Sequence, residues 1–422
     1  FVPHAFSAKK YPDPDCPPHF YAGGHDPLYR HFGALCAYMD RVATLTSSGK
    51  HEVPVAVLYH GESEWADNAA MPFEKPLRKL YDRQIDCHVV PADIFTEKDY
   101  YQTQMGAPLR VNGQVYHAFI VPETDVLPRA AVEGLTELAS LGLPIYFVNK
   151  HPKLVGETGE AIPDGLKKLP VVPLEELYRA VSELGLNTPT VVPASDRMRL
   201  LHIHGDTPVF LLVNEDDRNY TGAITFPEEG SCYLYDPWDN VCRAARSKKV
   251  FGGTRVELTV EPLKTVAVVF GSSEAPFVPS IVCEGEREEL NTWNRSLCEG
   301  AEYPNFGEAL SVITPEDVAL EAPEFSGFVR YETVIDHRAG EKVTLEITHA
   351  DEAVEVFLNG KSLGLQIAPP YRYCLNGSLL PGENHLTIEV ATTLERQTFP
   401  LLDDYGRMVT KPPVGKTGLT GN

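Results

Sequence analysis

Cysteine is scarce in this chain, and its spacing excludes a disulfide scaffold. Eight cysteines are spread over 422 residues, and no two of them form a C-x-x-C pair. A long chain with so little cysteine does not depend on disulfides for its stability. We therefore expect reduced and mostly buried thiols.

Long apolar runs and positive charge are also lacking. No apolar run approaches the roughly 18 residues of a membrane-spanning helix. The 37 Lys and Arg residues are outnumbered by 59 Asp and Glu residues, which gives a net charge of −22. Because such a surface repels phosphate groups, neither nucleic acid nor a membrane is an expected partner. The charge favours a neutral or polar ligand.

Several catalytic motifs are missing as well. The sequence contains no G-x-G-x-x-G after a strand, no G-x-x-x-x-G-K-[ST] and no H-E-x-x-H, and its G-x-S-x-G match at residues 360–364 lies in a turn between two predicted strands rather than between a strand and a helix. Nucleotide binding, zincin chemistry and a hydrolase elbow therefore lack their local signatures. The strand predicted at residues 145–148 runs into Asn149, Lys150 and His151. An amidotransferase places its nucleophilic cysteine on such a turn, so the thiol is missing where that reaction needs it.

The distribution of apolar residues predicts a multidomain protein, α/β first and all-β afterwards. A strand end, a proline-rich loop and a helix capped by Asp26 are followed by alternating strands and helices, and then by short strands separated by turn residues. The Asn359-Gly360 turn between alternating strands is typical of a β-sandwich. The predicted divisions are an initial segment (1–50), an α/β domain (51–189), an antiparallel β domain (190–274), a β-sandwich (275–405) and a surface tail (406–422).

The initial segment has a dense cluster of polar and aromatic residues. Carboxylates and imidazoles beside aromatic rings suit the rim of a sugar-binding site, because they hydrogen-bond hydroxyl groups and stack on a sugar ring. The alternative is a rigid loop packed on the next domain. The substrate-binding candidates here are His4, Asp13, Asp15 and His19.

A second candidate group follows the first strand of the α/β domain. Open α/β sheets bind ligands at the carboxyl ends of their strands, and Glu62, Glu64 and Trp65 lie just beyond that end. Retaining glycosidases hold two carboxyl groups about 5 Å apart across the substrate. Two Glu residues at i and i+2 are a weak match to that geometry, so Glu62 and Glu64 are weak catalytic candidates and Trp65 is a substrate-binding candidate. A structural role is the alternative.

Metal ligands are not expected from the sequence. His202 and His204 would share one face of a strand, but two imidazoles without a third ligand do not make a metal site. Acidic residues cluster between residues 283 and 325, yet no calcium-binding loop motif occurs there. We expect no cofactor and leave a structural Ca2+ open. In the sandwich, Trp293, Tyr371 and Tyr373 are candidates for a carbohydrate-binding edge, with a core role as the alternative.

The sandwich resembles the galactose-binding-like domain of glycoside hydrolase family 2. The resemblance rests on VEVFLNGKSLG at residues 354–364, PPY at 369–371 and LPGENHL at 380–386. The front half, from VPHAFS at residues 2–7 through PPHF at 17–20 to VAVLY at 55–59, is similar to the end of a (β/α)8 barrel running into an amidotransferase-like, flavodoxin-like domain. That domain order is found in family 106 α-L-rhamnosidases and, in part, in family 42 β-galactosidases.

The resemblance implies a C-terminal portion of a large bacterial glycoside hydrolase. Residues 1–50 would be the last strand and helix of the catalytic barrel, and the sandwich would be a jelly-roll domain. The chain opens at Phe1 without an initiator Met, so we expect it to be part of a longer protein whose earlier barrel strands carry the catalytic carboxylates. The expected location is the cytoplasm, with secretion left open by the missing start.

Three functions follow as hypotheses. The leading one is a portion of a glycoside hydrolase with structural, oligomerisation and sugar-contacting roles, which binds an oligosaccharide or glycoside and has an upstream barrel domain or a second copy as its partner. The second is a complete glycosidase with an unrecognised site near Glu62 and Glu64. The third is a free-standing carbohydrate-binding module.

Overall fold

The structure, a computed structural model, describes residues 21–67, 69–279, 286–338, 342–399 and 415–420. Asp40–Val278 form one compact unit, and the described residues of 21–39 join the described residues from Pro279 onward in a second. Within the described ranges, no helix is long and apolar enough to cross a membrane. The α-helices in these ranges are α1 (Phe32–Ser47), α2 (Gly61–Ala66), α3 (Glu74–Tyr81), α4 (Arg129–Ser140), α5 (Leu177–Ser182) and α6 (Glu395–Thr398).

Strands outnumber helices in both units, which confirms the β-rich multidomain organisation expected from the sequence. The described strands of the Asp40–Val278 unit are β1 (Lys50–His51), β2 (Val55–Tyr59), β3 (Cys87–Pro91), β4 (Leu109–Val111), β5 (Gln114–Tyr116), β6 (Ala118–Val121), β7 (Val126–Leu127), β8 (Ile145–Val148), β9 (Leu154–Val155), β10 (Val171–Val172), β11 (Thr190–Val192), β12 (Met198–His204), β13 (Val209–Asn214), β14 (Tyr220–Phe226), β15 (Cys232–Asp236), β16 (Val241–Ala244), β17 (Arg246–Val250), β18 (Gly253–Val260) and β19 (Thr265–Phe270).

A five-stranded parallel sheet in the order β10-β8-β6-β2-β3 forms the first layer of this unit. Parallel strands are covered on both faces, so their side chains are apolar without alternation. The four residues Val55 to Leu58 of β2 are accordingly all buried. Helix α4 packs its buried face, which includes Leu135 and Leu138, into the same core.

Two antiparallel sheets follow within the same unit. Their orders are β1-β12-β13-β19-β15-β16 and β11-β14-β18-β17. They share one apolar core, in which the rings of Phe210 on β13 and Phe226 on β14 lie 4.6 Å apart. The short strand β1 pairs with the end of β12, so that Lys50 is opposite His204 and His51 is opposite Ile203. This pairing brings residues near position 50 to the edge of the β-sheet.

The second unit is a β-sandwich with an Asp26-capped helix start. Its largest described sheet has the order β21-β20-β22-β28-β25-β26, and the carboxylate of Asp26 accepts the Leu28 N–H at 2.9 Å, as the sequence predicts. The strands described in this unit are β20 (Trp293–Glu299), β21 (Leu310–Val312), β22 (Gly327–His337), β23 (Thr344–Ile347), β24 (Ala350–Asp351), β25 (Ala353–Leu358), β26 (Lys361–Gln366), β27 (Tyr371–Cys374), β28 (Gly382–Ala391) and β29 (Gly418–Leu419).

A buried asparagine supports the turns of the sandwich. Asn359 and Gly360 have φ of +52° and +78°, which is the conformation that an Asn-Gly hairpin turn requires and confirms that prediction. The Asn359 side-chain amide donates to Asn384 Oδ1 at 2.9 Å. Asn384 is fully buried and exchanges two further hydrogen bonds of 2.8 Å with the backbone of Leu380. The amide of Asn384 therefore joins the Asn-Gly turn to the loop that precedes β28.

Candidate functional site

The residues predicted beyond the first parallel strand lie on a short helix. Glu62, Glu64 and Trp65 belong to α2, which begins directly after β2 and His60. Trp65 is 84% exposed, Glu62 is exposed and Glu64 is half-buried. Residues at i and i+2 of a helix do not face each other. The two carboxylates therefore do not form a pair on one side of a shared cleft.

The structure describes the aromatic candidates of the sandwich but not the candidates near the N-terminus. Trp293, Tyr371 and Tyr373 are buried in the sandwich core. Their polar atoms donate to the backbone carbonyls of Leu290, Glu352 and Val354 at 3.0, 2.9 and 2.7 Å, respectively. As placed, they offer no ring face to a sugar. His4, Asp13, Asp15 and His19 lie outside the described residues.

A cavity in the Asp40–Val278 unit gathers polar residues that are distant in sequence. Its volume is about 290 Å³. The pairing of β1 with β12 brings residues 50–54 to one side of it, and the loops around β3 and β5 close the other side. Its titratable lining side chains include His51, Glu52, Asp86, His202 and His204.

A chain of hydrogen bonds leads from His51 into the unit. One set of tautomers satisfies all three bonds: the Tyr116 hydroxyl donates to His88 Nδ1 at 3.0 Å, His88 Nε2 donates to His51 Nδ1 at 3.2 Å, and His51 Nε2 donates to Asp86 Oδ2 at 2.5 Å. Burial raises the pKa of Tyr116 to about 12, so this hydroxyl keeps its proton. Burial lowers the pKa of His88, with a further contribution from His51. The chain therefore fixes the orientation of both imidazole rings, with Asp86 at its end.

Beside this chain, two histidines of β12 face two glutamates. His204 Nδ1 lies 3.6 Å from Glu52 Oε2 and 3.9 Å from Glu228 Oε1. His202 Nε2 lies 3.8 Å from Glu228 Oε1, and His202 Nδ1 lies 3.9 Å from Glu52 Oε2. Glu52 directly follows β1, and Glu228 follows β14 of the other sheet. We call these four residues the His-Glu cluster.

The electrostatics of the His-Glu cluster favour a neutral His202. Burial lowers the pKa of His202 to about 4, and His204 and His51 add to that effect. Burial also raises the pKa of the Glu228 carboxyl, an effect that His204 opposes. Neutral imidazoles and carboxylates are ligands for divalent transition metals, so this cluster is the part of the described chain with the donor set for such an ion.

Sequence reasoning identified only half of this cluster. The alternation of His202 and His204 on one strand face is visible in the sequence, and the structure places both on that face. Glu52 and Glu228 come from two other segments, and the pairing of β1 with β12 that positions Glu52 is set by tertiary structure. Neither glutamate lies at a metal-binding spacing from a histidine of β12 in the sequence, so no local pattern marks it.

Comparison with known proteins gives structural neighbours only. No protein-family model matches the sequence, and a search of curated proteins also finds no match. The rhamnosidase from Novosphingobium sp. PP1Y matches with a TM-score of 0.64 and 18% identity, over 94% of this chain and 41% of that chain. This chain thus spans less than half the length of the rhamnosidase. At this identity, the likeness shows the fold alone.

Two further neighbours match smaller shares of the chain. A GH42 beta-galactosidase from G. stearothermophilus matches with a TM-score of 0.40 and 10% identity, over 58% of this chain and 44% of that chain. The beta-galactosidase from Bacillus circulans sp. alkalophilus matches with a TM-score of 0.39 and 12% identity, over 60% of this chain and 46% of that chain. The structural neighbours are glycoside hydrolases.

Proposed function

We propose that this chain is a non-catalytic portion of a glycoside hydrolase, with a structural role and contacts to a carbohydrate. One observation carries the proposal: the fold of 94% of the chain is similar to 41% of a rhamnosidase chain. On this proposal, the reaction occurs in a part of the protein that this chain does not supply. Residues 1–50 would complete that part, and the protein would act on glycosides in the bacterial cytoplasm.

The fold of each unit by itself supports specific domain identities within this proposal. The five-stranded parallel sheet with the order β10-β8-β6-β2-β3 suits an amidotransferase-like domain. Its strand β8 leads to Asn149 with a φ of +60°, where an amidotransferase would need a cysteine. The sandwich with the Asn359-Gly360 turn suits a galactose-binding-like domain. Both domains would then serve docking, oligomerisation and sugar contact rather than bond cleavage.

The placement of the acidic candidates also supports a non-catalytic role. Glycosidases act with two carboxyl groups on opposite sides of the scissile bond. Glu62 and Glu64 are instead neighbours on one turn of α2. In the described part of the chain, they are the only acidic pair that the sequence offered for catalysis, and their geometry does not suit it.

Hydrolysis assays test this proposal directly. The purified full chain is incubated with nitrophenyl glycosides that include α-L-rhamnoside and β-D-galactoside, with an active glycosidase as the positive control. We expect no turnover above the buffer rate, and the same result for the Glu62→Gln and Glu64→Gln variants. Robust hydrolysis that either variant abolishes would overturn the proposal in favour of a complete glycosidase.

A binding experiment tests the sugar contact. Trp65 presents an indole that is 84% exposed next to the carboxyl end of the parallel sheet, and aromatic faces stack on sugar rings. We expect oligosaccharides that bind the chain on a glycan array to bind the Trp65→Ala variant at least several-fold more weakly. The matched control is Tyr100→Ala, which removes an aromatic ring that is 76% exposed elsewhere in the same unit. Equal losses in both variants, or none in Trp65→Ala, would contradict a sugar contact at Trp65.

A further inference from the structure

The His-Glu cluster has the donor atoms and the spacing of a metal site. Candidate ligand atoms of Glu52, His202 and His204 all lie within 4.8 Å of one another, and Glu228 Oε1 lies 3.8 and 3.9 Å from the two histidines. A tetrahedral ion with bonds of about 2.0–2.2 Å separates its ligand atoms by roughly 3.3–3.6 Å. The separations of 3.8 and 3.9 Å exceed this range by a few tenths of an ångström, and a separation at the 4.8 Å limit would have to shorten by about 1 Å.

The buried histidine of the cluster has an unused ligand atom. His202 is 4% exposed, and its Nε2 is buried without a hydrogen-bond partner among the described residues. A buried polar nitrogen that makes no hydrogen bond costs stability unless something satisfies it. The ring stacks on Phe210 at a centroid distance of 4.0 Å, which fixes its direction. The unpaired Nε2 points toward Glu228.

Rigid elements hold the four residues in place. His202 and His204 occupy alternate positions of β12 and therefore share a face. The Glu52 N–H donates to the His202 carbonyl at 2.9 Å, so its backbone is tied to the same strand. Glu228 reaches the cluster from the other sheet. An ion here would join three separate chain segments.

We propose that the His-Glu cluster binds one Zn2+ per chain, through His202 Nε2, His204 Nδ1 and one carboxylate oxygen each of Glu52 and Glu228. Two imidazoles with two carboxylates are a donor set for zinc. Ca2+ and Mg2+ prefer oxygen ligands and are not expected to bind here. This proposal is independent of the glycoside hydrolase assignment, and it adds a site that the sequence alone did not indicate.

Calorimetric titration tests the site on the full chain. The chain is prepared without a histidine tag, treated with EDTA, dialysed and titrated with ZnCl2. We expect one Zn2+ bound per chain, no competition from excess CaCl2, and a rise in melting temperature on adding zinc. X-ray absorption of the loaded chain should show two imidazole ligands. Absence of stoichiometric zinc binding would overturn the proposal.

Variants of the exposed ligands locate the site without disturbing the core. His204 and Glu52 are substituted rather than His202, because His202 packs on Phe210 and its loss would test folding as well as binding. We expect Glu52→Gln and His204→Gln each to weaken zinc binding at least tenfold and to lose the rise in melting temperature. The matched control His385→Gln replaces an exposed histidine on β28 and should bind zinc like the unmodified chain. Unchanged affinity in both ligand variants would show that zinc does not bind at the His-Glu cluster and would overturn the proposal.

Discussion

At the scale of single residues, His31 gives the second unit a pH-dependent stability. Burial, helped by the charge of Arg30 and opposed by that of Glu389, lowers the pKa of His31 to about 4. The unfolded chain binds this proton near pH 6.5, so between about pH 6.5 and 4 the unfolded state holds more protons and stability falls as the pH falls. Compared with His31→Gln, the unmodified chain should lose on the order of 2 kcal/mol of unfolding free energy between pH 7.5 and 4.5, as measured by urea titration.

The salt dependence distinguishes burial from the charge of Arg30 as the cause of the lowered His31 pKa. The ring of His31 lies 6.4 Å from that of Phe328, which is consistent with burial as the main cause. Salt screens the charge of Arg30 but leaves burial unchanged. Most of the difference between the two proteins should therefore persist at high salt. Parallel pH curves for His31→Gln and the unmodified chain would contradict the prediction.

Individual site residues were predictable only where one strand carried the pattern. His202 and His204 are recognisable because alternate residues of a strand share a face. Glu52 joins them through the pairing of β1 with β12, and Glu228 through the packing of two sheets, neither of which leaves a local pattern. The burial of Tyr371 and Tyr373 could not be predicted from the sequence either. An aromatic residue on a strand is equally compatible with a core and with a binding surface.

At the scale of elements, the packing of α4 depends on the absence of a side chain. Gly134 lies on the buried face of α4, and a Cβ added there would lie 2.1 Å from Cγ of the buried Phe95. Alanine favours a helix over glycine by about 1 kcal/mol, but overpacking a core costs about 1–3 kcal/mol. We expect Gly134→Ala to lower the free energy of unfolding by up to about 2 kcal/mol in urea titrations.

Gly33→Ala is the control for this substitution. Gly33 lies in α1, and no other atom lies within 4 Å of a Cβ added there. This variant should be as stable as the unmodified chain or slightly more stable. If Gly134→Ala were equally harmless, Phe95 would have room to move, and the close packing of α4 would not matter for stability.

Elements were predicted well where one physical signal dominates. The near-continuous apolar run at residues 53–59 predicts a strand and contains β2, and the helix predicted from the sequence at residues 128–141 contains α4, because each buries a continuous apolar face. The strands β16 and β17 were missed. The residues of β17 are mostly exposed, and an exposed strand has little apolar alternation to reveal it.

At the scale of the whole chain, each unit contains a buried core of its own. Leu58, Phe119 and Leu135 belong to the core of the parallel sheet, whereas Tyr331, Val356 and Ile388 belong to that of the sandwich. The order of α/β and β segments was predictable from composition and periodicity. The division at Met39 and Asp40, within α1, was not, because the helix continues across it without a break in pattern.

Two compact units predict two separate unfolding transitions, and one variant in each unit tests this. Gly134→Ala destabilises the core of the parallel sheet, and Asn384→Ala leaves the hydrogen-bonding groups of Leu380 and Gly382 without their partner, at a cost on the order of 3 kcal/mol. In differential scanning calorimetry each variant should lower the midpoint of a different transition, by roughly 4–12 °C for domains of this size. Each variant serves as the control for the other. A single transition that both variants lower together would mean that the chain unfolds as one cooperative structure, despite its two compact units.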